Sequence, residues 1–223
     1  KINILIAGTL LAVASFFTSC GHFDEINTDP DTPTSVTAAM LASGGIQSLL
    51  SSPGAKDFVQ HDLASKHIAW GENSESYVYN SFGRSSLVGY STVITMQKMV
   101  ELAPEQDLEA YSGLAQFIKA YKLFWVSMDL GDIPYSDALK GEEGSMKPKY
   151  DTQKEVMLQV LDDLEGAYDH FCNARDFSGD PFVGGSVERW KKIVNVFRLE
   201  VLMSLSKKVD DPDLRVKERF AEV

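Results

Sequence analysis

The stretch from Tyr111 to Met128 restricts the fold most, because it is apolar on two sides of a helix. The apolar residues of one face recur at helical spacing, and a second apolar face lies beside the first. The first face carries Tyr111, Leu114, Ala115, Ile118, Trp125 and Met128, interrupted by Lys122, and the second carries Phe117, Tyr121 and Phe124. Such a helix packs between neighbours, and Gly131 is a residue type that ends helices. The stretch therefore predicts a buried central helix.

Six further segments are predicted to be helical, and no segment alternates convincingly as a strand does. They are 35–51, 57–70, 86–102, one capped by Thr152 and Glu155, one starting at Ser186, and one with Pro212 at its first position. The 223-residue chain is 44% hydrophobic, so it can bury a core. We therefore expect an all-α fold of antiparallel helix pairs with long loops, although no clean sequence repeat is present.

An apolar run opens the chain and ends at Cys20. Residues 2–17 are too short for a transmembrane helix and follow a basic residue, which is typical of a secretory signal. Ordinary cleavage after Ala14 is one interpretation. The other is cleavage before Cys20, because the small residues Thr18 and Ser19 precede it as in the lipobox of bacterial lipoproteins. We predict a signal peptide over 1–19, a lipidated tether over 20–34, and a helical domain over 35–223.

The chain has a second cysteine, Cys172, and a secreted chain could pair it with Cys20 in a disulfide. If Cys20 carries a lipid, Cys172 has no partner. It is predicted to be a small buried residue on the apolar face of its helix. The net charge of −11 repels phosphate backbones, so nucleic acid is not an expected partner.

Four segments in order resemble the SusD/RagB family, specifically its SusD-like branch. They are FDEINTDPDTPTSVT, GDIPYSDALKG, YDTQKEV and DPFVGGSVERWKKIVNVFRLEVLMSLSK. The resemblance implies a largely helical surface lipoprotein of the outer membrane, with tetratricopeptide-like helix pairs. It also implies binding of a glycan or other nutrient, and a SusC-like TonB-dependent outer-membrane transporter as partner. Family members are longer than this chain, which implies a C-terminal part beyond it.

No catalytic pattern stands out in the sequence. Glycosidases place two carboxylates beside a sugar bond, but the acidic pairs here are expected on solvated faces or at helix ends. These pairs are Asp129 with Asp132, Glu142 with Glu143, and Asp162 with Asp163. His61 and His67 lack the spacing of a helical zinc pair. We expect no enzyme, no metal and no cofactor, with an all-helical glycosidase as the remaining enzymatic alternative and a periplasmic helical-repeat scaffold as the other.

A segment rich in aromatic and polar residues, IAWGENSESYVYNSFGR, is predicted to be a loop that binds an oligosaccharide. Aromatic rings stack on the apolar faces of sugars, while amide, carboxylate and guanidinium groups bond the hydroxyls. The candidate ligand-binding residues are Trp70, Glu72, Asn73, Tyr77, Tyr79, Asn80 and Arg84. The alternative is that Trp70 and the tyrosines pack this loop onto the helical body.

Overall fold

This computed structural model describes residues 35–50, 67 and 87–223 of the chain. In this part, helices make up all the regular structure except one antiparallel bridge. They are α1 (Ala38–Leu49), α2 (Tyr90–Glu101), α3 (Leu108–Leu130), α4 (Gln153–Asn173), α5 (Val187–Ser204) and α6 (Val216–Glu222). Short 3₁₀ turns lie at Glu105–Asp107 and Ser206–Lys208. The all-α prediction is confirmed.

Consecutive helices pack against one another, from α1 on α2 through α4 on α5, within a compact unit that spans Thr37–Val223. The long helix α3 lies between α2 and α4 and also contacts α1 and α5. Leu114, Ile118 and Phe124 on it are fully buried. It ends at Gly131, whose φ of +82° suits glycine and whose N–H donates to the Ser127 carbonyl at 2.8 Å. The two apolar faces in the sequence thus correctly predicted a central helix.

The start of α4 shows the capping box that the sequence predicted. The Thr152 hydroxyl accepts from the Glu155 N–H, and the Glu155 carboxylate accepts from the Thr152 N–H at 2.7 Å. Two backbone donors that a helix N-terminus leaves free are satisfied in this way. The start of α5 after Ser186 is also confirmed.

Three helices begin later than the sequence predicted. Helix α1 begins at Ala38 rather than at position 35. Helix α2 begins at Tyr90 rather than at position 86, after Gly89 with a φ of +96°. The last helix begins at Val216, because Pro212 lies in a turn. In that turn the Asp211 carboxylate accepts from the Asp213 N–H at 3.0 Å. A local side-chain bond of this kind competes with helix formation.

The prediction that Cys172 is buried is wrong, because its side chain is exposed. It follows Phe171, which is buried, and one step along a helix rotates a side chain by about 100° away from the core. Cys20, the segment 20–34 and the predicted helix 57–70 lie outside the described residues. Among the described helices, none combines the length and apolarity needed to cross a membrane.

Candidate functional site

A groove of about 540 Å³ lies between α2, α3 and the segment that follows α3. One wall is the apolar side of α2, with Val93, Met96 and Val100, and the floor is α3. Residues 135–139 bound the groove, and His170 of α4 also lines it. The polar residues in its lining include Gln97, Ser112, Gln116, Lys119 and Ser136.

Lys119, Tyr135 and Asp163 form a connected group beside the groove. The Lys119 amine lies 2.8 Å from an oxygen of the Asp163 carboxylate and 4.4 Å from the centroid of the Tyr135 ring. The Tyr135 hydroxyl donates to the same carboxylate at 2.7 Å. Burial, followed by the charge of Asp163, raises the pKa of Tyr135 well above its ordinary value. The phenol therefore stays protonated, and the charge of Lys119 is compensated.

Asp151 holds the corner between α3 and α4 that bounds the groove. Its backbone exchanges two hydrogen bonds with Ile133, at 3.0 and 3.2 Å. Its carboxylate accepts from the N–H groups of Tyr135 and Ser136, at 3.0 and 2.7 Å, and from the Ser136 hydroxyl at 2.8 Å. Burial alone would raise the pKa of Asp151, but the bonds from Ser136 and Tyr135 outweigh it and lower that pKa. The stretch GDIPYSDAL therefore forms a structural corner between α3 and α4.

Tyr90 ties the start of α2 to this corner. Its hydroxyl donates to the Pro134 carbonyl at 2.5 Å. Burial, followed by the neighbouring Tyr150 and Asp151, raises the pKa of Tyr90 to about 12, so the hydroxyl remains a donor at neutral pH. The groove is thus bounded by elements that hydrogen bonds hold in fixed positions.

A second side-chain contact lies between α3 and α4, where Nδ1 of His170 is 2.7 Å from the Glu109 carboxylate. Nearby, Oε1 of Gln116 is buried without a hydrogen-bond partner in the described part of the chain. It lies so close to Gly166 that a Cβ there would be 2.8 Å away. Lys119 is thus paired with Asp163, and His170 is hydrogen-bonded to Glu109.

The seven predicted ligand-binding residues, Trp70, Glu72, Asn73, Tyr77, Tyr79, Asn80 and Arg84, lie outside the described residues and remain predictions. Of the acidic pairs, Asp129, Asp132, Glu142, Glu143 and Asp162 are exposed, as the sequence indicated. Asp163 is half-buried and paired with Lys119. Asp151 has no signal in the sequence, because its donors lie 15 and 16 positions away and no local pattern indicates them.

Replacing Asp151 with asparagine is expected to lower the free energy of unfolding at neutral pH by about 2–3 kcal/mol. Hydrogen bonds to a charged group contribute about 1.5–3 kcal/mol, and the replacement loses that charge. Because the folded pKa lies below the ordinary 3.8, the contribution is present above that value and is lost as the pH falls through the folded pKa. Urea denaturation from pH 7 to pH 3 should show the two proteins converging at the acidic end. A difference that does not change with pH would contradict this.

A family model described as "Starch-binding associating with outer membrane" matches residues 30–223. The chain belongs to the SusD-like family. A solved SusD homologue from Bacteroides fragilis NCTC 9343 is 54% identical, with a TM-score of 0.78 over 84% of this chain and 40% of that chain. A Bacteroides vulgatus ATCC 8482 protein, whose description suggests an outer-membrane location and nutrient binding, is 30% identical, with a TM-score of 0.71 over 84% of this chain and 40% of that chain.

A SusD/RagB family protein from Bacteroides thetaiotaomicron VPI-5482 shares the fold at 20% identity, with a TM-score of 0.64 over 84% of this chain and 42% of that chain. The comparison with curated proteins found no match. This SusD-like chain spans about 40% of the length of the first two solved relatives. The resemblance to the SusD/RagB family and the helical, tetratricopeptide-like fold that it implied are confirmed.

Proposed function

We propose that the protein binds a nutrient, an oligosaccharide, at the outer membrane and delivers it to a SusC-like TonB-dependent transporter. The observation that carries this proposal is the family match over residues 30–223, whose description joins starch binding to the outer membrane. The Bacteroides vulgatus relative, described in terms of nutrient binding, supports the same ligand class.

The proposed location is the cell surface, with a lipid on Cys20 as the anchor. The apolar run over 2–17 and the small residues before Cys20 support lipidation. Asp24 and Glu25 follow the cysteine closely, and such acidic pairs resemble a signal that directs some lipoproteins to the surface. The segment 21–34 is polar and contains prolines, which suits a tether.

The proposed ligand contacts are the seven residues between Trp70 and Arg84. They combine two tyrosines and a tryptophan with two asparagines, one glutamate and one arginine. This mixture offers apolar faces for sugar rings and hydrogen-bonding groups for their hydroxyls.

The proposed transporter explains how a bound nutrient crosses the outer membrane. A lipid-anchored binding protein captures its ligand at the surface but provides no path through the membrane. A polar tether lets the domain move relative to a barrel, which requires an interface that opens without unfolding.

Titration of the full-length protein with neutral oligosaccharides tests the binding function. Calorimetry with maltoheptaose, cellohexaose, xylohexaose and mannohexaose is expected to show binding of at least one probe. Replacing Trp70 with alanine should weaken that binding by roughly 1–3 kcal/mol if the ring stacks on the ligand, since central aromatic contacts contribute this much. A lowered melting temperature with unchanged affinity would instead assign Trp70 to packing. Folded protein that binds none of the four probes would contradict the proposed function.

A further inference from the structure

The indole of Trp125 is exposed on the C-terminal half of α3, although the sequence places it in the apolar stripe of that helix. Its side chain is 42% exposed, whereas Leu114 and Ile118 on the same stripe are fully buried. Lys122, one turn before it, is half-buried and interrupts the stripe. The apolar stripe of α3 therefore extends beyond the part of α3 that the other described helices cover.

A small pocket of about 260 Å³ lies beside this indole, between the start of α2 and the face of α3. Gly89 and Thr92 line it on one side, and Tyr121, Lys122, Trp125 and Asp129 line it on the other. Pockets for drug-sized ligands usually measure about 300–1,000 Å³. This pocket is therefore suited to a small unit, such as one ring of a longer chain.

Packing against the core holds the aromatic walls of the pocket in place. The Trp125 ring meets Phe124 edge-on with centroids 5.1 Å apart, and Phe124 is fully buried. The Tyr121 ring lies 4.8 Å from that of the buried Phe197. Rings supported from behind lose little conformational freedom when a ligand binds.

Contacts between α1, α2 and α3 hold the polar side of the pocket. The Lys122 amine donates to the Ser48 carbonyl at 2.7 Å, near the end of α1. Gly89 has a φ of +96°, and a Cβ there would lie 3.1 Å from the Cβ of Lys122. Glycine therefore allows the start of α2 to approach α3 closely.

Hydrogen-bonding groups remain available at the rim. The Asp129 carboxylate is exposed, and neither it nor the indole N–H of Trp125 has a hydrogen-bond partner among residues 35–50, 67 and 87–223. The amine of Lys122 bonds to the Ser48 carbonyl and keeps two further donors, while the Asp129 carboxylate in the same lining disfavours an anionic ligand. An aromatic face beside a free acceptor and a free donor matches the C–H face and hydroxyls of an uncharged sugar.

We propose that this Trp125 pocket binds one ring of a neutral oligosaccharide, with the indole stacked on the ring and Asp129 accepting from its hydroxyls. The proposal rests on the proposed function, which is that the protein binds a glycan. It adds a sugar subsite on the helical body, formed by residues other than the seven between Trp70 and Arg84.

Oxidation of tryptophan by N-bromosuccinimide tests the pocket without any mutation. Full-length protein is treated with and without a saturating amount of the oligosaccharide that binds most tightly among the four probes, and oxidation is located by mass spectrometry. Trp125 is expected to react in the free protein and to be protected at least five-fold by the ligand. Trp190, which is 1% exposed, is the internal control and should react in neither sample.

Substitutions provide a second test by calorimetry. Trp125→Ala is expected to weaken binding about ten-fold or more, and Trp125→Phe less, because phenylalanine keeps part of the stacking surface. Asp129→Asn should weaken binding about three-fold. Ile94→Ala is the matched control, because Ile94 is 53% exposed and does not line the pocket. It should bind as the original protein does, and all four variants should keep their melting temperatures within a few degrees.

Three results would overturn the pocket while leaving the proposed function in place. The first is an unreactive Trp125 in the free protein, which would show that another part of the protein covers it. The second is equal oxidation of Trp125 with and without the bound oligosaccharide. The third is unchanged affinity in Trp125→Ala. If the unmodified protein binds none of the four probes, the pocket and the proposed function are both overturned.

Discussion

Replacing Cys20 with alanine is expected to abolish lipid attachment and to release the protein from the membrane. The lipidated thiol would be the only covalent link to the bilayer in this proposal, so its loss leaves no anchor. Each buried methylene of an acyl chain contributes about 0.8 kcal/mol to membrane binding, and a diacylglycerol places two long chains in the bilayer. We therefore expect a nearly complete shift to the soluble fraction rather than a partial one.

Radiolabelled palmitate incorporation, followed by separation of membranes from soluble protein, measures this effect. The chain supplies its own matched control, because it contains one other cysteine, Cys172, and that side chain is exposed. Cys172→Ala should retain both the label and the membrane location. Continued labelling of Cys20→Ala would disprove lipidation at Cys20, and loss of label in Cys172→Ala would move the attachment to that residue.

Two further experiments distinguish a surface nutrient-binding protein from a periplasmic scaffold. Protease added to intact cells should remove the protein only if it faces outward. Outer membranes solubilised in mild detergent should yield a large barrel protein together with the intact, surface-exposed protein. Recovery of the protein without any barrel would argue against the transporter partnership.

Sequence patterns predicted the parts of this fold that depend on neighbours within one or two helical turns. The two apolar faces between Tyr111 and Met128 predicted a central helix, and Thr152 with Glu155 predicted a cap that the structure shows. Both features involve residues three to seven positions apart, so the periodicity of the helix is enough to interpret them.

Features that depend on distant contacts could not be predicted in this way. Asp151 bonds the N–H groups of Tyr135 and Ser136 only because α3 and α4 meet at a corner. The exposure of Trp125 depends on how far the neighbouring helices extend along α3, which apolar spacing does not reveal. The candidate pocket beside Trp125 therefore became visible only with the helices in place.

The second substitution with a large expected effect, in this case on the free energy of unfolding, lies in the loop before α5. The Asp180 carboxylate accepts from the N–H groups of Phe182 and Gly185, at 2.7 and 2.8 Å, and from the indole N–H of Trp190 at 2.9 Å. Trp190 is buried, so this carboxylate connects the loop to the core. Opposite Asp180, the Phe177 N–H donates to the Gly185 carbonyl at 3.1 Å. The backbone at Gly185 is thus enclosed on both sides.

Replacing Gly185 with alanine is expected to cost at least about 4 kcal/mol, a size that single substitutions reach only through severe packing or backbone conflicts. An added Cβ would lie 1.7 Å from the Phe177 carbonyl oxygen, and the φ of +75° already disfavours a side chain. Relieving the clash requires the two backbone segments to separate, which breaks the bonds at Phe177 and Asp180. Because whole domains are stable by about 5–15 kcal/mol, much of the protein should lose its fold at moderate temperature.

Gly184→Ala separates the steric effect from the backbone effect at the adjacent position. Gly184 has a similar φ of +72°, but a Cβ there meets nothing within 4 Å. Its replacement should therefore cost only the strain of a left-handed alanine, roughly 1–2 kcal/mol. Urea denaturation of both full-length variants measures the difference, which we expect to be about 2 kcal/mol or more. Equal costs would show that the loop moves away from Phe177 freely, and that Asp180 does not hold it against the core.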